Sequence, residues 1–164
     1  NLAQRKGVTV EESPNADVFW RLLQHTSEHD DFRTHGMLYY KKLLHFFAEG
    51  QGPLRTRLYL ALQGGQPIAG AIMMEHGHTV SYLHGAMDRE HRGLMAPHLM
   101  HWELMRRYKE RGFQGYDFWG VDAQKWPGVT RFKLGFGARV IEYPGSFDIT
   151  VKRFWSWLYK IAPR

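Results

Sequence analysis

The alternation of hydrophobic and polar positions changes period along the chain, and each change marks an element. Val8 and Val10 stand between polar neighbours and predict a short strand over 8–11. Ser13 or Asn15 can then cap a helix, in which Phe19, Trp20, Leu22 and Leu23 recur at helical spacing. A second helix is predicted over 37–47, with Leu38, Leu43, Leu44 and Phe47 on its apolar face and Gly50 and Gly52 closing it. Three strand-like runs follow, 58–63, 68–75 and 79–86, parted by Gly64, Gly65, Gln66 and Pro67 and by Gly77 and His78. Turns this short between apolar runs predict an antiparallel meander.

The next loop carries Arg89, Arg92 and Gly93 and leads into a helix with Pro97 in its first turn. Leu99, Trp102 and Met105 form its expected apolar stripe, and Gly112 its C-terminal stop. Residues 116–119 read as a fifth strand, 129–134 as a helical turn, 139–143 with 147–151 as a final hairpin, and 154–160 as a short helix. Helices, meander, helix, strand, helix and strands is the order of an α+β protein with the GNAT-like acyltransferase fold, a mixed, mostly antiparallel sheet flanked by helices. The chain shows no repeat or internal linker. Its 164 residues, 43% hydrophobic, suffice for one sizeable core, so one GNAT-like domain is expected over 1–164.

Composition narrows the chemistry. The formal charge of +6 favours anionic partners such as RNA, nucleotide phosphates or acidic lipid headgroups, although the basic residues are dispersed and charge alone does not choose among them. Zero cysteines exclude disulfides and thiolate zinc sites. His25 and His29 stand four apart near Asp30 and His35 but have no third ligand at motif spacing, so no metal is expected. Ser27, Ser81, Ser146 and Ser156 lie outside any G-x-S-x-G context, and no covalent nucleophile is expected either. No apolar run is long enough to span a bilayer, and the first residues, NLAQRKGV, read as the interior of a longer protein.

The densest chemistry lies in 112–137, GFQGYDFWGVDAQKWPGVTRFKLGFG, where an acid sits among aromatics ahead of a Gly-rich turn and Arg131, Phe132 and Lys133. Alone, this could be a core strand and a short helix whose glycines serve packing. Its company argues for a site. Tyr82, Leu83, His84, Gly85 and Ala86 come first; Pro97, Leu99, Met100 and Trp102 follow; then Gly112 with Tyr116, Asp117, Phe118, Trp119 and Gly120; then Val129, Phe132, Lys133, Gly135, Phe136 and Gly137. In these four ordered motifs the chain resembles the Fem (FemABX) aminoacyltransferases of peptidoglycan interpeptide bridge formation. Members pair two GNAT-like domains, and this chain looks like the second, the C-terminal half, without most of an N-terminal GNAT-like domain.

The resemblance implies transfer of an amino acid from aminoacyl-tRNA to the stem-peptide amine of UDP-MurNAc-pentapeptide or a lipid-linked peptidoglycan precursor, with no cofactor. The donor ester is already activated, so the protein's task is to position the amine, accept a proton and stabilise the tetrahedral oxyanion. Lys133 matches the family's functional Phe-Lys pair and could hold a tRNA phosphate or the oxyanion. Phe132 would wall the donor pocket, and Arg131 is a further phosphate candidate. The family's precursor-contacting arginine and tyrosine, four apart, fall on His35 and Tyr39; a neutral imidazole lacks the bidentate fork, which Arg33 could supply from the preceding turn. Tyr82 or His84 corresponds to a further precursor-contacting tyrosine. Asp117 is either a proton acceptor for the attacking amine or an acid bound to backbone amides, and Trp119 shapes the cleft.

Two rival readings stand beside this one. In a coenzyme A-dependent N-acyltransferase, 89–96 would be a pyrophosphate turn, although Leu94 and Met95 stand where a second small residue is wanted. In the other, the chain is a non-catalytic module that binds precursor or tRNA. The lack of cysteines fits a cytoplasmic location, with peripheral contact at the inner membrane face if the acceptor is lipid-linked; the C-terminal KRFWSWLYK reads first as a packing helix with basic ends, and its aromatics are the alternative contact to the first domain or a membrane surface.

Overall fold

Five strands form one sheet in sequence order, and the structure, a computed structural model that describes residues 2–30, 34–48, 52–145, 150, 152 and 157, flanks it with helices on both faces. The order is α1 (Leu2–Arg5), β1 (Val8–Glu12), α2 (Ala16–Asp30), α3 (Met37–Ala48), β2 (Leu54–Gln63), β3 (Gln66–His76), β4 (Thr79–Met87), a 3-10 turn (Arg89–Leu94), α4 (Ala96–Glu110), β5 (Gly115–Asp117) and α5 (Pro127–Leu134). Strands β1 to β4 pair antiparallel, and β5 joins β4 in parallel after the α4 crossover. This is the α+β, GNAT-like arrangement that the sequence order predicts.

Local chemistry explains the connections. Gly64 and Gly65 both have positive φ, 56° and 80°, the requirement of a two-residue hairpin turn between β2 and β3. At the start of α2, the Asn15 Oδ1 accepts hydrogen bonds from the amides of Asp17 and Val18, while the Ser13 hydroxyl accepts one from the Asn15 amide. Both residues considered as caps are therefore used, with Asn15 as the cap proper.

Alternation along β2 divides the core. Tyr59 and Ala61 face α1 and α4 together with Val10, Met73, Val80, Leu99, Leu104 and Tyr108. Leu58 and Leu60 face α2 and α3 with Phe19, Leu23, Tyr40, Leu44 and Ile72. Each wholly buried Leu or Phe contributes about 1.5–3 kcal/mol, so both layers are needed to hold the sheet.

Several expectations are corrected. On α3 the buried residues are Tyr40 and Leu44, whereas Leu38 is 62% exposed, because the helix turns its tyrosine into the gap beside Phe19 and His84. On α4 the inward face carries Leu99, Met100, His101, Leu104 and Tyr108, which leaves Trp102 mostly in solvent. The fifth strand stops at Asp117, and Trp119 has φ 63°, outside any strand conformation. Residues 139–143 form no strand: Val140, Ile141 and Tyr143 are exposed, and β5 offers three residues that pair inward with β4. The hairpin's second arm and the 154–160 helix, apart from Thr150 and Trp157, lie outside the described residues. The short α1 was not foreseen; it buries Ala3. No helix among the described residues is long and apolar enough to cross a membrane.

Candidate active site

Strands β4 and β5 pair only over Thr79–Ser81 and Gly115–Asp117; past this point β4 continues with β3 as its one strand neighbour among the described residues. The chain of β5 turns off sharply because the Asp117 Oδ1 accepts the Trp119 amide at 2.7 Å and Trp119 adopts its left-handed conformation. The result is a gap past the carboxyl end of β5, beside the later half of β4, and such an opening between parallel strands is a place where open sheets admit ligands.

A β-bulge organises that gap. Ile72 pairs with His84 and Met73 with Tyr82, so Leu83 is an extra residue in β4. An extra residue reverses the alternation. Tyr82 therefore packs against His101 of α4 and Phe118, on the same face as Val80, while His84 packs against Tyr40 of α3, on the same face as Ala86. Gly85 makes room for this: a Cβ there would lie 1.6 Å from the Tyr82 hydroxyl oxygen.

Lys133 reaches the gap from α5. Its Nζ donates a 2.7 Å hydrogen bond to the Gly120 carbonyl and lies 5.8 Å from the Tyr82 ring centre, with the residue only 8% exposed. The ammonium is thus held by the loop that follows β5 and stands over the Tyr82 ring of β4. Burial pulls its pKa below that of an ordinary lysine, and the negative charge of Asp117 partly opposes the shift. A buried ammonium held by one carbonyl is suited to meet an oxyanion or phosphate oxygen, since burial strengthens the interaction.

An aromatic wall closes the inner side. His101 is fully buried, with its Nδ1 2.7 Å from the Tyr116 hydroxyl and its Nε2 without a partner among the described residues. Burial, reinforced by nearby His98 and Lys133, lowers its pKa to about 3, so the ring is neutral at physiological pH. Phe118 and Phe136 stack at 5.0 Å, and Phe132 meets Phe136 edge-on at 5.4 Å and His98 at 4.9 Å. Phe132 is therefore part of the wall.

On the other face of β4, His35 stacks on Tyr39 at 4.1 Å, and Tyr39 and Tyr40 approach His84 edge-on at 6.0 and 5.3 Å. Burial and the proximity of His35 lower the His84 pKa. His35 and Tyr39 are exposed at the rim, with Tyr40 beneath them.

The candidate residues thus fall into two groups. Lys133, Phe132, Tyr82, Asp117 and Trp119 gather around the gap; His35, Tyr39 and His84 gather behind β4. Arg131 is exposed on α5, and Arg33 lies outside the described residues. Asp117 spends one carboxylate oxygen on the Trp119 amide, the structural use considered for it. Tyr40, His98, His101 and Phe136 were not singled out, although the i,i+3 pair of histidines on a helix led by Pro97 is a visible signal. In the Arg89–Leu94 turn, the Asp88 carboxylate accepts from the Glu90 amide and meets His91 Nδ1 at 2.7 Å, so an acid stands where a pyrophosphate would need free donors. Two grooves of about 430 and 390 Å³ lie elsewhere, beside Trp102 and beside Arg57 and Arg111.

Comparison with known proteins supplies the rest. The sequence model of the FemAB family matches residues 58–164. The chain is 26% identical over 102 residues to "Aminoacyltransferase FemB" of Staphylococcus epidermidis, which covers 59% of this chain and 24% of that protein. It is 30% identical over 115 residues to "Lipid II:glycine glycyltransferase" of Staphylococcus epidermidis, covering 66% and 28%. The chain thus spans about a quarter of the length of these curated relatives. Among solved structures, FemX superposes with a TM-score of 0.66 at 20% identity, over 74% of this chain and 46% of FemX. A GNAT-family acetyltransferase of Staphylococcus aureus Mu50 superposes at 0.65 with 11% identity, over 82% and 86%. At such identities these two likenesses establish the fold.

Proposed function

The chain belongs to the FemAB family, and on that premise we propose that it is part of an aminoacyltransferase that moves an amino acid from aminoacyl-tRNA to the stem-peptide amine of a peptidoglycan precursor. The curated relatives' names, an aminoacyltransferase and a glycyltransferase acting on lipid II, support this reaction class.

The observation that carries the reading is the split of two aromatic groups by the Leu83 bulge, beside a gap into which the Lys133 ammonium is held by the Gly120 carbonyl. Two large substrates cannot approach one carbonyl from the same side. The donor ester lies on the α5 side, against Phe132 and Lys133, and the acceptor on the α3 side, against His35, Tyr39 and His84. The amine passes the bulge to reach the ester carbon. It forms the C–N bond as the carbonyl oxygen takes up charge facing the Lys133 ammonium; collapse breaks the ester C–O bond and releases the ribose hydroxyl. Asp117, through its outer oxygen and via solvent, takes the proton of the attacking amine and returns it to the departing ribose oxygen. The reaction needs no covalent intermediate.

The test is a transfer assay on the protein that contains this chain, with radiolabelled aminoacyl-tRNA and either UDP-MurNAc-pentapeptide or a lipid-linked precursor. Transfer that collapses in Lys133→Ala supports the assignment. Unchanged transfer in that variant refutes the site, and binding of acetyl-CoA without binding of charged tRNA refutes the reaction in favour of a coenzyme A-dependent transferase. Binding of both substrates with no transfer favours a binding module.

A further inference from the structure

Two tryptophans bracket the loop between β5 and α5, and packing explains neither. Trp119 is 60% exposed and Trp126 50% exposed. Trp119 moreover holds φ 63°, a conformation that costs a non-glycine residue about 1 kcal/mol or more, without the compensation of a buried indole.

The loop is nonetheless firmly built. Its first turn is fixed by the Asp117 carboxylate on the Trp119 amide, and its middle by the Lys133 ammonium on the Gly120 carbonyl. At the far end, Asp122 Oδ1 accepts the amides of Gln124 and Lys125 at 2.9 Å, its carbonyl accepts the Trp126 amide at 2.8 Å, and its own amide donates to the Thr130 hydroxyl. Both acids of the loop are thus engaged with backbone donors. Lys125 holds its ammonium over one face of the Trp126 ring, 4.7 Å from its centre, so a base would stack on the opposite face, and Arg131 stands exposed on the following helix. Exposed indoles carried on a firmly held backbone, with cations nearby, suit flat π-faces strung on a phosphate backbone, because binding there orders little of the loop.

We propose that Trp119 and Trp126 form a stacking platform for the unpaired nucleobases of a single-stranded RNA end, with Lys125 and Arg131 facing its phosphates. This deepens the RNA-donor reading and rests on it: a platform beside the Lys133 gap would lead the acylated end of the RNA to the pocket.

The test compares two RNA hairpins of identical duplex, one with a short unpaired 3′ tail and one blunt, binding to the 164-residue chain at fixed salt, read by anisotropy of labelled RNA and by quenching of tryptophan fluorescence. The tailed hairpin should bind more tightly. Trp119→Ala and Trp126→Ala should each weaken it roughly 5- to 150-fold, the range of one lost base stack, with blunt binding unchanged. Trp119→Phe and Trp126→Phe should keep most of the affinity, so a loss confined to the alanine variants reports stacking and not misfolding. If the wild type prefers the tail but the alanine variants bind it equally well, the platform is overturned and the RNA donor stands. It is equally overturned if those variants lose binding to anionic phospholipid vesicles instead. If the wild type binds neither hairpin, the RNA-donor reading falls with it.

Discussion

Tyr82 and His84 stand two residues apart on one strand yet face opposite sides of the sheet, Tyr82 against His101 of α4 and His84 against Tyr40 of α3. In an unbroken strand they would share a face. The bulge at Leu83 separates them, and Gly85 leaves the space that the Tyr82 ring then fills. Gly85→Ala should accordingly cost about 1–3 kcal/mol in urea unfolding, as overpacking does. Placing it on a Tyr82→Leu background, which removes the hydroxyl and much of the ring, should recover most of that loss. Additive losses in the double variant would show that the two residues do not compete for this space.

Lys133 separates charge from stability. Its side chain is buried and its pKa depressed by burial, so the ammonium is kept at a cost to the fold. Lys133→Met fills similar volume without charge and should leave the thermal midpoint unchanged or higher. The rate of aminoacyl transfer should fall about 100- to 1,000-fold, as when one oxyanion donor is removed. Equal loss of stability and rate would recast the lysine as structural.

His101 makes the fold sensitive to mild acid. Unfolded, its imidazole takes a proton below about pH 6.5; folded, it resists until about 3. Between those values the unfolded state holds the extra proton, so stability falls as pH drops through the window. His101→Gln, still able to reach Tyr116, should flatten that slope in urea titrations at pH 6.5 and below, whatever its effect on stability at neutral pH. A slope identical to wild type would mean that other groups set it.

Glu75 anchors the opposite end of α4. Its buried carboxylate receives Arg57 Nε and Arg111 Nη1, each at 2.8 Å, and Arg57 also reaches Glu12 at 2.7 Å. Burial alone would raise the carboxyl pKa, but the Arg111 hydrogen bond and both guanidinium charges outweigh it and hold it low. The group thus stabilises the fold at neutral pH, and that contribution fades as acid takes the pH down through the folded value. Glu75→Gln should destabilise by about 2–3 kcal/mol, less than the 3–5 kcal/mol of a fully buried pair because both arginines reach solvent. A variant within 0.5 kcal/mol of wild type, roughly the spread of ordinary surface changes, would refute this.

The meander was legible because its turns declare themselves: Gly64 with Gly65, and Gly77 with His78, leave little choice of connection. The Lys133 motif was legible through its company, four motifs in order. The bulge was not, since Leu83 is an ordinary strand residue and Gly85, the one mark of the slip, stands two residues past it; hence Tyr82 and His84 seemed alternatives for one role when they serve two faces. Nor was the true inner face of α4, where His101 replaces the expected Trp102, because a histidine is buried only when a partner such as Tyr116 awaits it. Val140 and Ile141 promised a strand by composition, but a strand needs a neighbour, and β5 is three residues long.

The two faces should separate in kinetics. His35 and Tyr39 stack at the rim behind β4, where they can hold an acceptor without touching the reacting carbonyl, whereas Lys133 stands in the gap itself. Tyr39→Ala and His35→Ala remove a grip made equally in the ground and transition states, so KM for the precursor should rise while kcat stays within about twofold of wild type. Lys133→Met removes a contact that strengthens only as the oxyanion forms, so kcat should fall with little change in KM for the precursor. His35→Arg adds the bidentate fork that imidazole lacks and should lower KM for an acceptor carrying a diphosphate, with no gain for the bare stem peptide. Steady-state kinetics with the two acceptors in parallel decide the matter. A fall in kcat in the Tyr39 and His35 variants would place both groups of residues on one substrate and dissolve the division of faces that the Leu83 bulge creates.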